Sequence, residues 1–168
     1  RRLGRRDLDP DIQLALAGGR GWKQRHALTA DARRNPNVVR TGFVDEADVA
    51  GLYAGAIGLV YVSRYEGFGL PILEAMAAGT PVIYGDNSAM PEVAGDAGLA
   101  VDADDVNAVA DRMKQLATDT ALRAELIARG RQRAARFSWT RTADETLRLY
   151  RDILAPYEGA SRAAAHSG

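Results

Sequence analysis

The chain has 168 residues, 46% hydrophobic and 26% charged, the profile of a soluble globular domain long enough to bury a core. Its 22 basic residues match 22 acidic ones, so it lacks the basic excess of a general nucleic-acid binder. It has no cysteine, which excludes disulfides and thiolate metal sites, and no apolar run near the ~20 residues of a membrane span.

Short apolar runs alternate with helical patterns along the chain. The opening RRLGRRDLDPD has no hydrophobic segment behind its arginines, so it does not read as a secretory signal, and a cytoplasmic setting is expected. IQLALAGG (12–19) and NVVRTGFV (37–44) read as the first two strands. Asp45 then caps a helix with Val49, Leu52, Tyr53 and Ala56 on one face. GLVYVS (58–63) is the next strand. A helix follows from Pro71, whose missing N–H costs nothing in the first turn, to Gly79 just past the end. PVIYGD (81–86) is a strand, and Pro91-Glu92 starts another helix. LAVDADD (99–105) is the last strand, with Asp104 or Asp105 capping a helix through Val106, Val109, Met113 and Leu116. Asp119 opens a longer helix to about Arg136, and Ser138 caps one carrying Leu147, Tyr150 and Leu154. Residues 1–157 are expected to form the domain, and 158–168, EGASRAAAHSG, a flexible tail without a core face.

Most of the strand runs are apolar throughout, which suits strands buried on both faces. The alternation predicts an α/β fold, a Rossmann-like open parallel sheet with helices on both faces. Ligands bind such sheets beyond the carboxyl ends of the strands, where 64–70 and 85–91 fall.

Glu66-Gly67-Phe68-Gly69 is an odd way to begin a helix. A helix start leaves backbone N–H groups without partners, with the positive end of the helix dipole behind them. Gly67 and Gly69 let backbone approach a ligand with no Cβ in the way, so the start suits a phosphate. A glycine before a helix also serves tight packing alone, and that reading stays open. Glu66 and Glu74, eight positions apart, are acids that repel phosphate but accept bonds from hydroxyls. An anion pocket with an acid on either side fits a phosphate joined to two sugars, a nucleotide sugar. Taken singly, Glu74 also serves as a favourable acid in a first turn, and Glu66 as a solvated loop residue.

The stretch SRYEGFGLPILEAMAAGTPVI resembles the donor-site signature of the retaining GT-B glycosyltransferases of glycosyltransferase family 4, also called group 1. That signature is a Glu, seven residues, then a Glu, with Gly-Phe-Gly after the first. LALAGGRGW, VVRTGFVDEADVAGLYAGA, SAMPEVAGDAGLAVDADD and FSWTRTADETLRLY follow the family's order and spacing, over roughly residues 12 to 153. The resemblance implies the C-terminal, donor-binding half of a GT-B fold. Glu66 would then lie beside the donor sugar, near the reacting carbon. The backbone of Gly67, Phe68, Gly69 and Leu70 would meet the sugar and diphosphate. Glu74 would hold the ribose, and the turn Gly42-Phe43-Val44 the nucleobase. Gly18 and Gly19 would line the same cleft, while Ser88 and Met90 pack.

The eleven residues before Ile12 are too few for the family's first strand, loop and helix, so that strand and the Arg and Lys that meet the diphosphate after it are expected to be missing here. The acceptor-binding N-terminal domain is likewise expected to be absent from this chain. The implied reaction moves a sugar from a nucleoside diphosphate to a hydroxyl with retention, without cofactor or metal. Two other readings compete: a GT-B-like module that binds nucleotide sugar or a partner without turnover, and a different α/β enzyme such as a sugar-nucleotide epimerase. An NAD-linked dehydrogenase fits poorly, because GGRGW (18–22) lacks the Gly-x-Gly-x-x-Gly pattern.

Other features read as structural. His26 and His166 are isolated, and Trp22 and Trp139 read as packing residues. Arg123, Arg129, Arg131, Arg133 and Arg136 lie on one long helix. They read as a solvated face, with peripheral contact to anionic lipid head groups as the alternative.

Overall fold

Five parallel strands organise the described part of the chain: β1 (Leu14–Ala17), β2 (Val38–Gly42), β3 (Leu59–Tyr61), β4 (Val82–Gly85) and β5 (Leu99–Val101). Between and after them run α1 (Glu46–Ala54), α2 (Leu70–Ala78), α3 (Met90–Ala94), α4 (Val106–Thr118), α5 (Thr120–Ala134) and α6 (Trp139–Ala165). The computed structural model describes residues 12–18 and 34–165, the last ten of these as backbone only. Gly19, Trp22, His26 and His166 lie outside the described residues. Contacts divide the chain into a unit ending at Ala134 and a second from Ala135 onward.

In the first unit, β4 is buried along its whole length. Its side chains alternate between two cores, as the two-residue period of a strand demands. Val82 and Tyr84 join Ile72, Ala75, Met76, Met90 and Val93 from α2 and α3. Ile83 faces the other way, with Val101, Leu116 from α4 and Leu126 from α5. β3 repeats the pattern, Leu59 and Tyr61 on the first side and Val60 on the second. Helices therefore cover both faces of β3–β5, as the apolar runs predict. Each fully buried Ile or Met contributes roughly 1.5–3 kcal/mol through the water it leaves.

The strands form two sheets, β1–β2 and β3–β4–β5. A doubly wound sheet has the order 3-2-1-4-5-6. Taken as its second to sixth strands, these five leave the break at the place of the first, and no described strand fills it. β1 and β2 depart from the sequence reading: among the described residues they are mostly exposed, not buried on both faces.

Caps follow the sequence with one exception. Asp105 accepts from the amides of Asn107 and Ala108, both at 3.0 Å, and Ser138 Oγ accepts from Arg141 N–H at 3.1 Å. Asp45 stands at the α1 N-cap but makes no side-chain bond there. In the second unit, α6 continues to Ala165, into the segment expected as a flexible tail. Trp139, expected to pack, is 78% exposed.

The arginine-rich α5 is not simply a solvated face. Arg133 donates from Nε to Val93 O at 2.9 Å and also reaches Glu92 O, closing the carboxyl end of α3. Arg123 does the same for α4 at the carbonyls of Leu116 and Ala117. Arg129 pairs with Glu125 and reaches Asp96 O. Cations at helix carboxyl ends satisfy orphan carbonyls and oppose the helix dipole.

Candidate functional site

The loop leaving β3 is tied to the loop leaving β4. Glu66 N–H donates to Ser88 Oγ at 3.1 Å, and Asn87 Nδ2 donates to Ser63 O at 3.2 Å. Ser88 holds φ 49, the left-handed region that a residue with a Cβ rarely adopts. Strain of this kind persists where the surroundings hold it, often at functional sites. Sequence reading left Ser88 as a packing residue beside Met90. Met90 does pack, with no exposed surface. Ser88 instead fixes the amide of the first acid, and no sequence signal marks it.

The start of α2 is built for something outside the helix. Gly69 is its N-cap, at φ 100, and no side chain caps the turn. Pro71, in that turn, brings no N–H of its own. The two glycines differ in what the fold asks of them. Gly69 is buried, needs its positive φ, and a Cβ there would meet Ile72 Cδ1 at 3.3 Å. Gly67 has no positive φ, and a Cβ there would meet nothing within 4 Å. The space above Gly67 is thus not filled by the protein. Gly67→Ala is expected to keep the melting temperature and to weaken binding of a nucleoside diphosphate. One methyl pushed into a filled space costs about 1–3 kcal/mol, roughly 5- to 150-fold in affinity. Thermal melts and titrations check both halves, and a variant that melts early but binds normally would return Gly67 to packing.

Each acid has a tyrosine beside it. Tyr53 Oη donates to Glu74 Oε2 at 3.3 Å. Burial, and then the Glu74 carboxylate, push the Tyr53 phenol up to about 12. Burial, and then the Glu66 carboxylate, push Tyr61 up to about 12 as well. Both phenols therefore keep their protons near neutral pH, and Tyr53 donates to its acid. Sequence reading had Tyr53 only as part of an apolar face and did not single out Tyr61.

Gly18, Gly42, Phe43 and Val44 gather at the carboxyl ends of β1 and β2. Gly18 N–H donates to Gly42 O at 2.8 Å, and the two glycines take φ 114 and 71. Phe43 is 82% exposed. Glu66, Gly67, Phe68, Gly69, Leu70 and Glu74 gather beyond β3. These are two clusters, and among the described residues no strand pairing joins their sheets. A depression beside the second cluster is lined by Arg64, Asp86, Asn87 and Asp102 to Asp104. It includes neither Glu66 nor Glu74, and its acids repel phosphate, so the start of α2 is the better anion site.

Residues 2–133 match the family described as glycosyl transferases group 1. The chain is 41% identical over 140 residues to an O-antigen chain mannosyltransferase B of Escherichia coli, covering 82% of this chain and 37% of that protein. It is 37% identical over 114 residues to a D-inositol 3-phosphate glycosyltransferase of Saccharomonospora viridis, covering 67% of this chain and 26% of that protein. Among solved structures, sucrose-phosphate synthase from Thermosynechococcus elongatus superposes with a TM-score of 0.71 at 32% identity, covering 86% of this chain and 39% of that one. The Anabaena protein HepE, solved in complex with UDP and glucose, gives a TM-score of 0.74 at 20% identity, which shows the fold alone, over 88% of this chain and 42% of that one. The chain thus spans well under half the length of each, and its sheet and helices are those of the C-terminal half of a GT-B fold. It belongs to the group 1 glycosyl transferases.

Proposed function

We propose that this chain is the donor-binding part of a hexosyltransferase that moves a sugar from a nucleoside diphosphate to an acceptor hydroxyl with retention of configuration. The observation that carries the reading is the uncapped start of α2, open above Gly67, with Glu66 before it and Glu74 one turn in. The bond between the anomeric carbon and the diphosphate oxygen breaks, and a bond to the acceptor oxygen forms. The acceptor's proton leaves with the diphosphate. Amides at Gly67 to Leu70 and the dipole of α2 stabilise the departing charge, without a divalent ion. Glu66 touches the donor sugar and the transition state and is not a covalent nucleophile. Glu74 takes the ribose hydroxyls, and Gly42-Phe43-Val44 takes the base, with Gly18 and Gly19 lining the cleft. The acceptor is held by an N-terminal domain.

A cytoplasmic setting goes with this reading. Among the described residues no helix is long and apolar enough to cross a membrane. Peripheral contact with an anionic membrane has less support than the arginine count suggests, since Arg123, Arg129 and Arg133 bond to carbonyls of their own fold.

Titration calorimetry of the full-length protein with UDP, GDP, ADP and dTDP, run in EDTA, tests the reading. One base is expected to bind selectively. The matching mannose and glucose donors then follow, mannose first because the Escherichia coli relative is named a mannosyltransferase. No binding in EDTA, restored by a divalent ion, would overturn the metal-free site. No binding under either condition would overturn the donor site.

A further inference from the structure

Tyr53 has a role beyond the apolar face of α1. Its ring packs on the core beside α2, and its Oη donates to Glu74 Oε2 at 3.3 Å. Its carbonyl is fixed as well, accepting Thr80 Oγ1 at 2.6 Å and Ala56 N–H at 2.9 Å. Thr80 is only 2% exposed and stands just past Gly79, the C-cap of α2, where its own N–H donates to Ala75 O at 2.8 Å. Tyr53 thus spans α2: held by backbone at the carboxyl end, it reaches back with its phenol to the first turns.

Glu74 is exposed, on a helix surface where its side chain would otherwise sample several rotamers. A carboxylate has about four acceptor positions on two oxygens. A phenol holding Oε2 fixes the plane of the group and leaves Oε1 to two adjacent hydroxyls. Binding then does not have to order the side chain first, and that preorganisation appears as affinity.

We propose that Tyr53 is a positioning residue that sets the Glu74 carboxylate for the ribose hydroxyls of a nucleoside diphosphate, an inference that rests on the ribose role of Glu74 proposed above. Burial, and then the Glu74 carboxylate, push the phenol up to about 12, so it remains a donor at neutral pH.

The test uses the full-length protein with UDP, GDP and their 2′,3′-dideoxy analogues, comparing wild type, Tyr53→Phe, Glu74→Ala and the double variant. Tyr53→Phe keeps the ring and removes only the donor. It is expected to weaken the ribonucleotide about three- to tenfold and to leave the dideoxy analogue unchanged. The double variant is expected to bind no more weakly than Glu74→Ala, because Tyr53 acts through that acid. Equal loss for both nucleotides, or a loss that adds to that of Glu74→Ala, would make Tyr53 structural and overturn the proposal. So would no loss at all in Tyr53→Phe while Glu74→Ala removes ribose discrimination. If Glu74→Ala itself leaves discrimination intact, the ribose role fails, and the positioning role falls with it.

Discussion

Replacing Glu66 by alanine is expected to lower turnover of the full-length protein about a hundredfold or more while changing donor affinity only a few-fold. The reason lies in when its contacts matter. A group near the reacting carbon acts most strongly when charge develops there, and losing one such preorganised contact costs on the order of 10²–10³ in rate. The Glu66 amide is held for that task by Ser88 Oγ, and its carboxylate lies close enough to the Tyr61 phenol to push it up further than burial alone does. Steady-state kinetics with the preferred donor, beside a binding titration, separate the two effects. Unchanged turnover would remove Glu66 from the reacting centre. A rise in KM with turnover kept would make it a uniform sugar contact. The linkage formed by wild type, read by NMR, checks retention in the same assay.

Glu74→Ala is expected to show the opposite pattern, a large loss of nucleotide affinity with turnover at saturation nearly kept. Hydrogen bonds to a charged group contribute about 1.5–3 kcal/mol each, roughly 10- to 150-fold in affinity. The ribose is remote from the bond that breaks, so its contacts are alike in ground and transition states. Glu74→Gln, which keeps one acceptor oxygen and loses the charge, is expected to fall between. Affinity equal to wild type in Glu74→Ala would leave Glu74 as no more than an acid favourable in the opening turns of α2.

Much of this was legible because burial writes itself into sequence. PVIYGD lacks the alternation of a one-sided strand, and β4 proves buried on both faces. Asp105 and Ser138 announce their helices because a cap is a local event. The glycine-led helix start is local too: Gly69 proves to be the N-cap of α2, with Pro71 in its first turn and Gly79 just past its end. What failed was non-local. Gly67 and Gly69 are the same letter, and only the fold shows that one is required by backbone and the other is not. Tyr53 and Glu74 stand 21 residues apart and meet only because α1 packs on α2. The α5 arginines look solvated until the ends of α3 and α4 arrive beneath them.

The separation of the described strands into two sheets carries a consequence for the chain in solution. Among the described residues, β1 and β3 are each paired on one edge only. An unpaired strand edge is a template for another chain, and proteins blunt such edges with lysine, proline or charge. β1 reads LALA and has none of these. The chain's net charge of zero supplies no repulsion between copies either. Whatever strand pairs with that edge of β1 therefore does more than complete a sheet: it removes a surface on which chains could associate.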